Sequence, residues 1–189
     1  MQSYVYLVVR GGEFLGSVHI PVQDLNHVLG LDLPEGDEKA GPAVSAHRNQ
    51  LVRYVADHLM VGDLETGWQL EFGRDRVLTS AHGTYAILEF RVAERFTGFP
   101  SEVVVGYDGI MHAHADRTAT VIVKTERGWG SFRRAPEIAR TFSSENTRHI
   151  FPVRAETFGG DVTGTAAVMG RRLVKKGRGL VRRLTSSGR

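Results

Sequence analysis

The chain contains no cysteine, so disulfides, thiolate metal sites and a cysteine nucleophile are all excluded, and either a reducing or an oxidising compartment is compatible with it. Long apolar runs are absent too. Charges or glycines interrupt every candidate, including residues 166–169, well short of the roughly 18 consecutive apolar residues that a membrane-spanning helix needs. The N-terminus, Met1-Gln2-Ser3-Tyr4-Val5-Tyr6, has no basic start leading into an apolar stretch. A cytoplasmic protein, or one whose secretory signal has been removed, is therefore expected. Several catalytic signatures are also missing. No Gly-x-Ser-x-Gly elbow presents a serine, and neither Gly-x-Gly-x-x-Gly nor Gly-Lys-Ser/Thr cradles a phosphate. The acids Glu35, Asp37 and Glu38 sit together without apolar cover that would raise a carboxyl pKa for acid catalysis.

What is present is enough for one ordinary domain with a hydrophobic core: 189 residues, of which 41% are apolar. The net charge of +3 conceals a split. Arg171, Arg172, Lys175, Lys176, Arg178, Arg182, Arg183 and Arg189 are eight bases without an acid, so subtracting them from +3 leaves residues 1–170 at −5. Leu173, Val174, Leu180, Val181 and Leu184 fall on one helical side of this tail. An anionic membrane surface is one partner it suits, a solvated linker is the equally weighted alternative, and nucleic acid is the least favoured. Gly177 and Gly179 weaken such a helix by about 1 kcal/mol each relative to alanine.

The periodicity predicts a mostly β protein. Tyr4 to Val9 and the alternating Phe14, Val18, Ile20 and Val22 read as a hairpin turning at Gly11-Gly12. Asp24 is the expected cap of a short helix that stops at Gly30, and residues 32–42 read as a loop. Val44, Leu51, Val52, Val55 and Leu59 recur at helical spacing, predicting one amphipathic helix over about residues 43–60. From Trp68 the period becomes two, through Leu70 and Phe72, then Ala86 to Val92, Val103 to Val105, Val121 to Val123 and His149 to Phe151. Gly128-Trp129-Gly130 reads as a strand turn. The expected architecture is an immunoglobulin-like antiparallel β-sandwich with one inserted amphipathic helix, a mixed α+β sheet covered by the helix being the alternative. The expected divisions are a globular domain over 1–154, a linker over 155–170 and the basic tail over 171–189.

One cluster suggests chemistry. In His112-Ala113-His114-Ala115-Asp116, a strand would place two imidazoles and a carboxylate on one face, able to converge on a divalent metal. With His149 added, His114 and Asp116 would imitate a two-histidine, one-carboxylate iron site. The commonplace reading, a solvated strand edge or loop, outweighs it, because short His-x-His spacings arise by chance and Asp108-Gly109 signals a turn nearby. His47 and His58 lie eleven residues apart, roughly 16 Å along a helix, too far to share an ion. Boundary packing is their expected role.

In the order and spacing of several segments the chain resembles the N-terminal extracytoplasmic domain of HupE/UreJ-type membrane proteins. The residues that carry the likeness are Ser3-Tyr4-Val5-Tyr6-Leu7, then Gly16 to Asn26 running into Leu29-Gly30-Leu31, Gly83-Thr84-Tyr85, Val103 to Asp108, and the His/Asp turn before Val121-Ile122-Val123. The resemblance covers roughly residues 3–153. In that family a set of membrane helices associated with nickel uptake for hydrogenase and urease follows the soluble domain. This chain departs there, having a glycine-rich linker and the basic tail after Val153. Transport therefore does not carry over, and no family metal ligand maps onto it. The resemblance implies a non-catalytic accessory or binding domain, extracytoplasmic and membrane-associated, with a protein or an anionic membrane surface as partner. The rival expectation is a small metal-dependent enzyme or metal-binding protein using His112, His114 and Asp116, a divalent metal being its only cofactor.

Overall fold

The computed structural model describes residues 2–10, 13–94, 96, 100–125 and 137–153. The chain divides into two units, Met1–Arg154 and Ala155–Arg189, and every described residue lies in the first. The expected linker, the basic tail and the turn at Gly128-Trp129-Gly130 lie outside the described residues.

Alternation builds the first sheet. In β1 (Ser3–Arg10) the odd residues Val5, Leu7 and Val9 are buried while Tyr4, Tyr6 and Val8 are half-buried on the opposite face, as a period of two requires. β1 pairs antiparallel with β2 (Glu13–Pro21) from Tyr4↔His19 to Arg10↔Glu13, which is the expected hairpin. Gly16 is obligatory there, because a Cβ would come within 2.3 Å of the Phe90 ring and 2.7 Å of the Tyr6 carbonyl oxygen. After the helices, β3 (Leu59–Gly62) begins a separate sheet, and β4 (Leu70–Ser80) and β5 (Gly83–Val92) return to the first one beside β2. β6 (Glu102–Tyr107) joins β3, β7 (Ala119–Thr125) and β8 (Glu137–Phe142) complete the larger sheet, and β9 (Arg148–Pro152) completes the smaller. The orders are β4-β5-β2-β1-β7-β8 and β3-β6-β9.

The protein is thus mostly β, its described residues forming a six-stranded sheet, a three-stranded sheet and three helices, a β-rich α+β arrangement. The larger sheet is mixed, not purely antiparallel, because β7 runs parallel to β1 from Ser3↔Ala119 to Val9↔Thr125. An apolar run such as Val121-Ile122-Val123 looks the same in either orientation. Only the long crossover connecting the strands decides which is formed.

The described residues form three helices where a short one ending at Gly30 and one amphipathic helix over about residues 43–60 were expected. α1 (Val22–Leu29) starts from Pro21 and ends at Gly30, whose left-handed φ of 62° is the predicted stop. Asp24 does not cap it. It sits inside the first turn, buried, where its carboxylate meets the Arg117 guanidinium at 3.3 Å. α2 (Asp37–Ala46) occupies much of the expected loop and carries Pro42 within it. α3 (Arg48–His58) follows after a break at His47. That break is a tightened turn: the His47 amide donates to the carbonyls of Ala43 and Val44 at 3.1 and 3.2 Å, and the His47 carbonyl accepts from Gln50 and Leu51. Leu59, expected in the helix, opens β3. The apolar stripe still does what its spacing predicts, since Val44, Leu51 and Val55 are fully buried and Leu59 nearly so.

All three helices contribute to one buried cluster that also holds Val5, Phe14 and Leu88 from the larger sheet and Val103, Val105 and Phe151 from the smaller. Helices and smaller sheet therefore cover the same face of the larger sheet. Arg48 and Ser45 lock this layer to β4, where Arg48 pairs with Asp75 at 3.2 Å and donates to the Phe72 and Gly73 carbonyls, and Ser45 donates to Asp75. These carbonyls lie at the register shift between Phe72 and Asp75, where a bulge takes backbone groups out of the ladder.

Candidate functional site

Four of the eight histidines gather where the β6–β7 connection, residues 108–118, meets α1 and α3. Tyr54 and His58 are four apart on α3 and so share a face. Their rings lie 4.6 Å apart. At the end of that helix the His58 carbonyl accepts from the Asp108 amide at 3.2 Å, while His58 Nδ1 lies 2.8 Å from Asp108 Oδ1. A carboxylate only accepts, so Nδ1 carries the proton and Nε2 is left to accept another or to meet a ligand.

The connection is pinned at several points. Ile110 takes a φ of 64°, a left-handed conformation that is strained for a β-branched residue. Its side chain is buried beside that of Met111, and its amide donates to the Tyr54 hydroxyl at 2.8 Å. Burial pushes the Tyr54 phenol up to about 12, the Ile110 hydrogen bond pulls the other way, and the charges of Asp108 and Asp24 add smaller increments to the rise. Asp24 anchors the far end of the connection through Arg117. Amides of His112, Ala113 and His114 turn back onto the carbonyls of Asp108 and Ile110. Gly109 is needed because a Cβ there would fall 2.7 Å from the Tyr107 hydroxyl oxygen. That hydroxyl is fully enclosed without a hydrogen-bond partner. Burial drives its pKa far up, and the nearby Ser3 side chain tempers the rise.

This turn structure revises the expected metal cluster. Residues 112–116 do not form a strand, so His112, His114 and Asp116 do not share a face. His112 stacks on His58 with ring centroids 4.3 Å apart and planes 9° from parallel. His114 turns instead to His27 on α1, at 4.3 Å and 50°, while Asp116 is exposed. Imidazole lone pairs lie in the ring plane, so two parallel stacked rings do not point at a common ion. Among the described residues no group of three or more His, Asp or Glu side chains is placed to hold a metal. His149 is engaged elsewhere, donating from Nε2 to the Thr141 carbonyl at 3.2 Å and packing on Phe142. The iron-type trio of His114, Asp116 and His149 is therefore not assembled. His47 marks the helix break, and His58 is more than a boundary residue.

The sequence reading passed over Tyr54, His27 and the pairings of Asp108 and Asp24. Only the Tyr54-x-x-x-His58 spacing carried a local signal. No family model matches the chain, and no curated protein matches it. Among the described residues no helix is long and apolar enough to cross a membrane.

Proposed function

We propose that the chain is a non-catalytic accessory or binding domain, related to the soluble part of a HupE/UreJ-type membrane protein, that offers the β6–β7 connection to a protein partner. The observation that carries this reading is the His58/His112 stack beside Asp108, exposed at its outer ring and carboxylate on a connection whose inner side chains are buried. Strain at Ile110 and an immobilised backbone are what a recognition surface uses to avoid ordering costs on binding. Aromatic and imidazole rings with a neighbouring carboxylate supply both stacking area and hydrogen bonds of either sense. Attachment to an anionic membrane through residues 171–184 is the second part of the proposal, supported by the charge pattern of the tail.

The test is site-specific photo-crosslinking from position 112 in the source cells, with position 82 as control. A discrete adduct that added wild-type domain competes away, and a His58→Ala, His112→Ala domain does not, is the expected result. Equal labelling from both positions, or competition by both domains, would remove the loop from recognition. Near-stoichiometric nickel or zinc in the purified protein, lost on His112→Ala, His114→Ala substitution, would instead favour the metal-binding reading.

A further inference from the structure

Two imidazole pairs fasten the β6–β7 connection to the helices beside it. His112 stacks on His58 of α3 at 4.3 Å, and two residues later His114 meets His27 of α1, also at 4.3 Å. His27 and His112 are exposed while His58 and His114 are half-buried, so solvent protons reach both pairs. Imidazole is the side chain whose charge ordinarily changes between about pH 5 and 8. Two imidazolium rings at such a spacing repel each other, and moving apart relieves the repulsion.

The surroundings of the two pairs differ. His58 donates from Nδ1 to Asp108 at 2.8 Å, so a charge on this ring turns an existing contact into a charge-assisted hydrogen bond. The Tyr54 ring packs on both members of the same pair, at 4.6 Å from His58 and 5.9 Å from His112. The pair on α1 has no such compensation. Asp24, one turn before His27, is engaged by the Arg117 guanidinium at 3.3 Å, and Arg117 places a positive charge three residues after His114. Asp57, Asp116 and Glu145 are all exposed, Glu145 following Ser144, whose hydroxyl donates to the Ala115 carbonyl at 3.3 Å. Among the described residues the one ion pair made by any of the four rings is that of His58 with Asp108.

We infer that the His27/His114 contact is an acid-released latch, in which neutral rings hold the turn at residues 112–116 on α1 and protonation of both rings lifts it away. Both ends of that turn stay in place, one through the Asp108 pairing and the buried Ile110 and Met111, the other through Arg117 and Asp24. The opening is therefore local, of the kind that protonated histidine clusters drive. Two backbone hydrogen bonds report it: the His114 amide donates to the Ile110 carbonyl at 2.9 Å, and the Arg117 amide donates to the His114 carbonyl at 3.0 Å. This motion belongs to the connection itself and requires no partner.

Nuclear magnetic resonance of the full chain tests the latch. At about pH 7.5 a nuclear Overhauser contact between the His27 and His114 rings is expected, together with protected amides at His114 and Arg117. At about pH 5 the ring contact should vanish. Exchange at both amides, corrected for its intrinsic pH dependence, should rise about tenfold while the Val5 and Leu7 amides of β1 keep their protection. His27→Phe retains a ring on α1 that takes no proton and should keep the turn closed at both pH values. A His27/His114 contact that survives at about pH 5 would overturn the latch. So would equal loosening in His27→Phe, or loss of protection at Val5 and Leu7 in step with the turn.

Discussion

The two faces of β1 are built from the same strand and reach opposite fates. On one side Val5, Leu7 and Val9 disappear into a cluster fed by three helices and a second sheet. On the other, Tyr4, Tyr6 and Val8 are half-buried on a face that no described element covers. Apolar residues of similar size thus contribute differently according to what lies opposite. The inner face supplies the main buried cluster, to which the outer side chains do not belong.

The largest effect should come from the inner face. Phe14→Ala removes a fully buried ring that packs on Trp68 and Phe96 at 5.1 and 5.3 Å, and urea unfolding should show a loss of about 3–5 kcal/mol. Tyr6→Ala on the outer face should cost about 1 kcal/mol under dilute conditions. Similar losses at the two positions would dissolve the distinction between the faces.

A second comparison sets the two buried phenols against each other. Tyr54→Phe leaves the Ile110 amide without its acceptor and should cost about 1–3 kcal/mol, with faster amide exchange at Ile110. Tyr107→Phe removes a hydroxyl that has no partner and should be neutral or stabilising by about 1 kcal/mol. Equal destabilisation by both would show that the Tyr54 hydrogen bond does not hold the connection.

A further effect concerns pH. The His19 pKa falls from 6.5 to about 4 on folding, so the unfolded chain takes up the proton first as the solution is acidified. The stability tied to the neutral ring is complete above 6.5 and declines as pH falls toward about 4. His19→Gln should flatten the wild-type decline of the urea midpoint across that window. Parallel pH profiles would mean that the ring titrates alike in both states.

Much of the fold was legible because its signals are local. The hairpin, the stop at Gly30 and the buried stripe of Val44, Leu51 and Val55 all follow from spacing and turn chemistry. The boundaries were less so. Pro42 suggested that a helix starts after it, yet α2 begins at Asp37, and the His47 break is set by backbone hydrogen bonds that no periodicity announces. At the site, His112, His114 and Asp108 attracted notice through composition and the Asp-Gly turn. Their partners, His58, His27 and Tyr54, were hidden because they lie 50 or more residues away in the chain.

By itself the sequence determined the β-rich class, the inward set of β2 and β5 and of the Val44, Leu51 and Val55 stripe, the absence of sulfur chemistry and the segregation of charge into the tail, since each depends on neighbours a few residues apart. Tertiary structure alone decided that β7 runs parallel to β1, that Asp24 pairs with Arg117 instead of capping a helix, and that His112 and His114 part to stack on different helices. Those outcomes rest on contacts between distant segments. Their energies depend on the path of the chain through space, which no local spacing encodes.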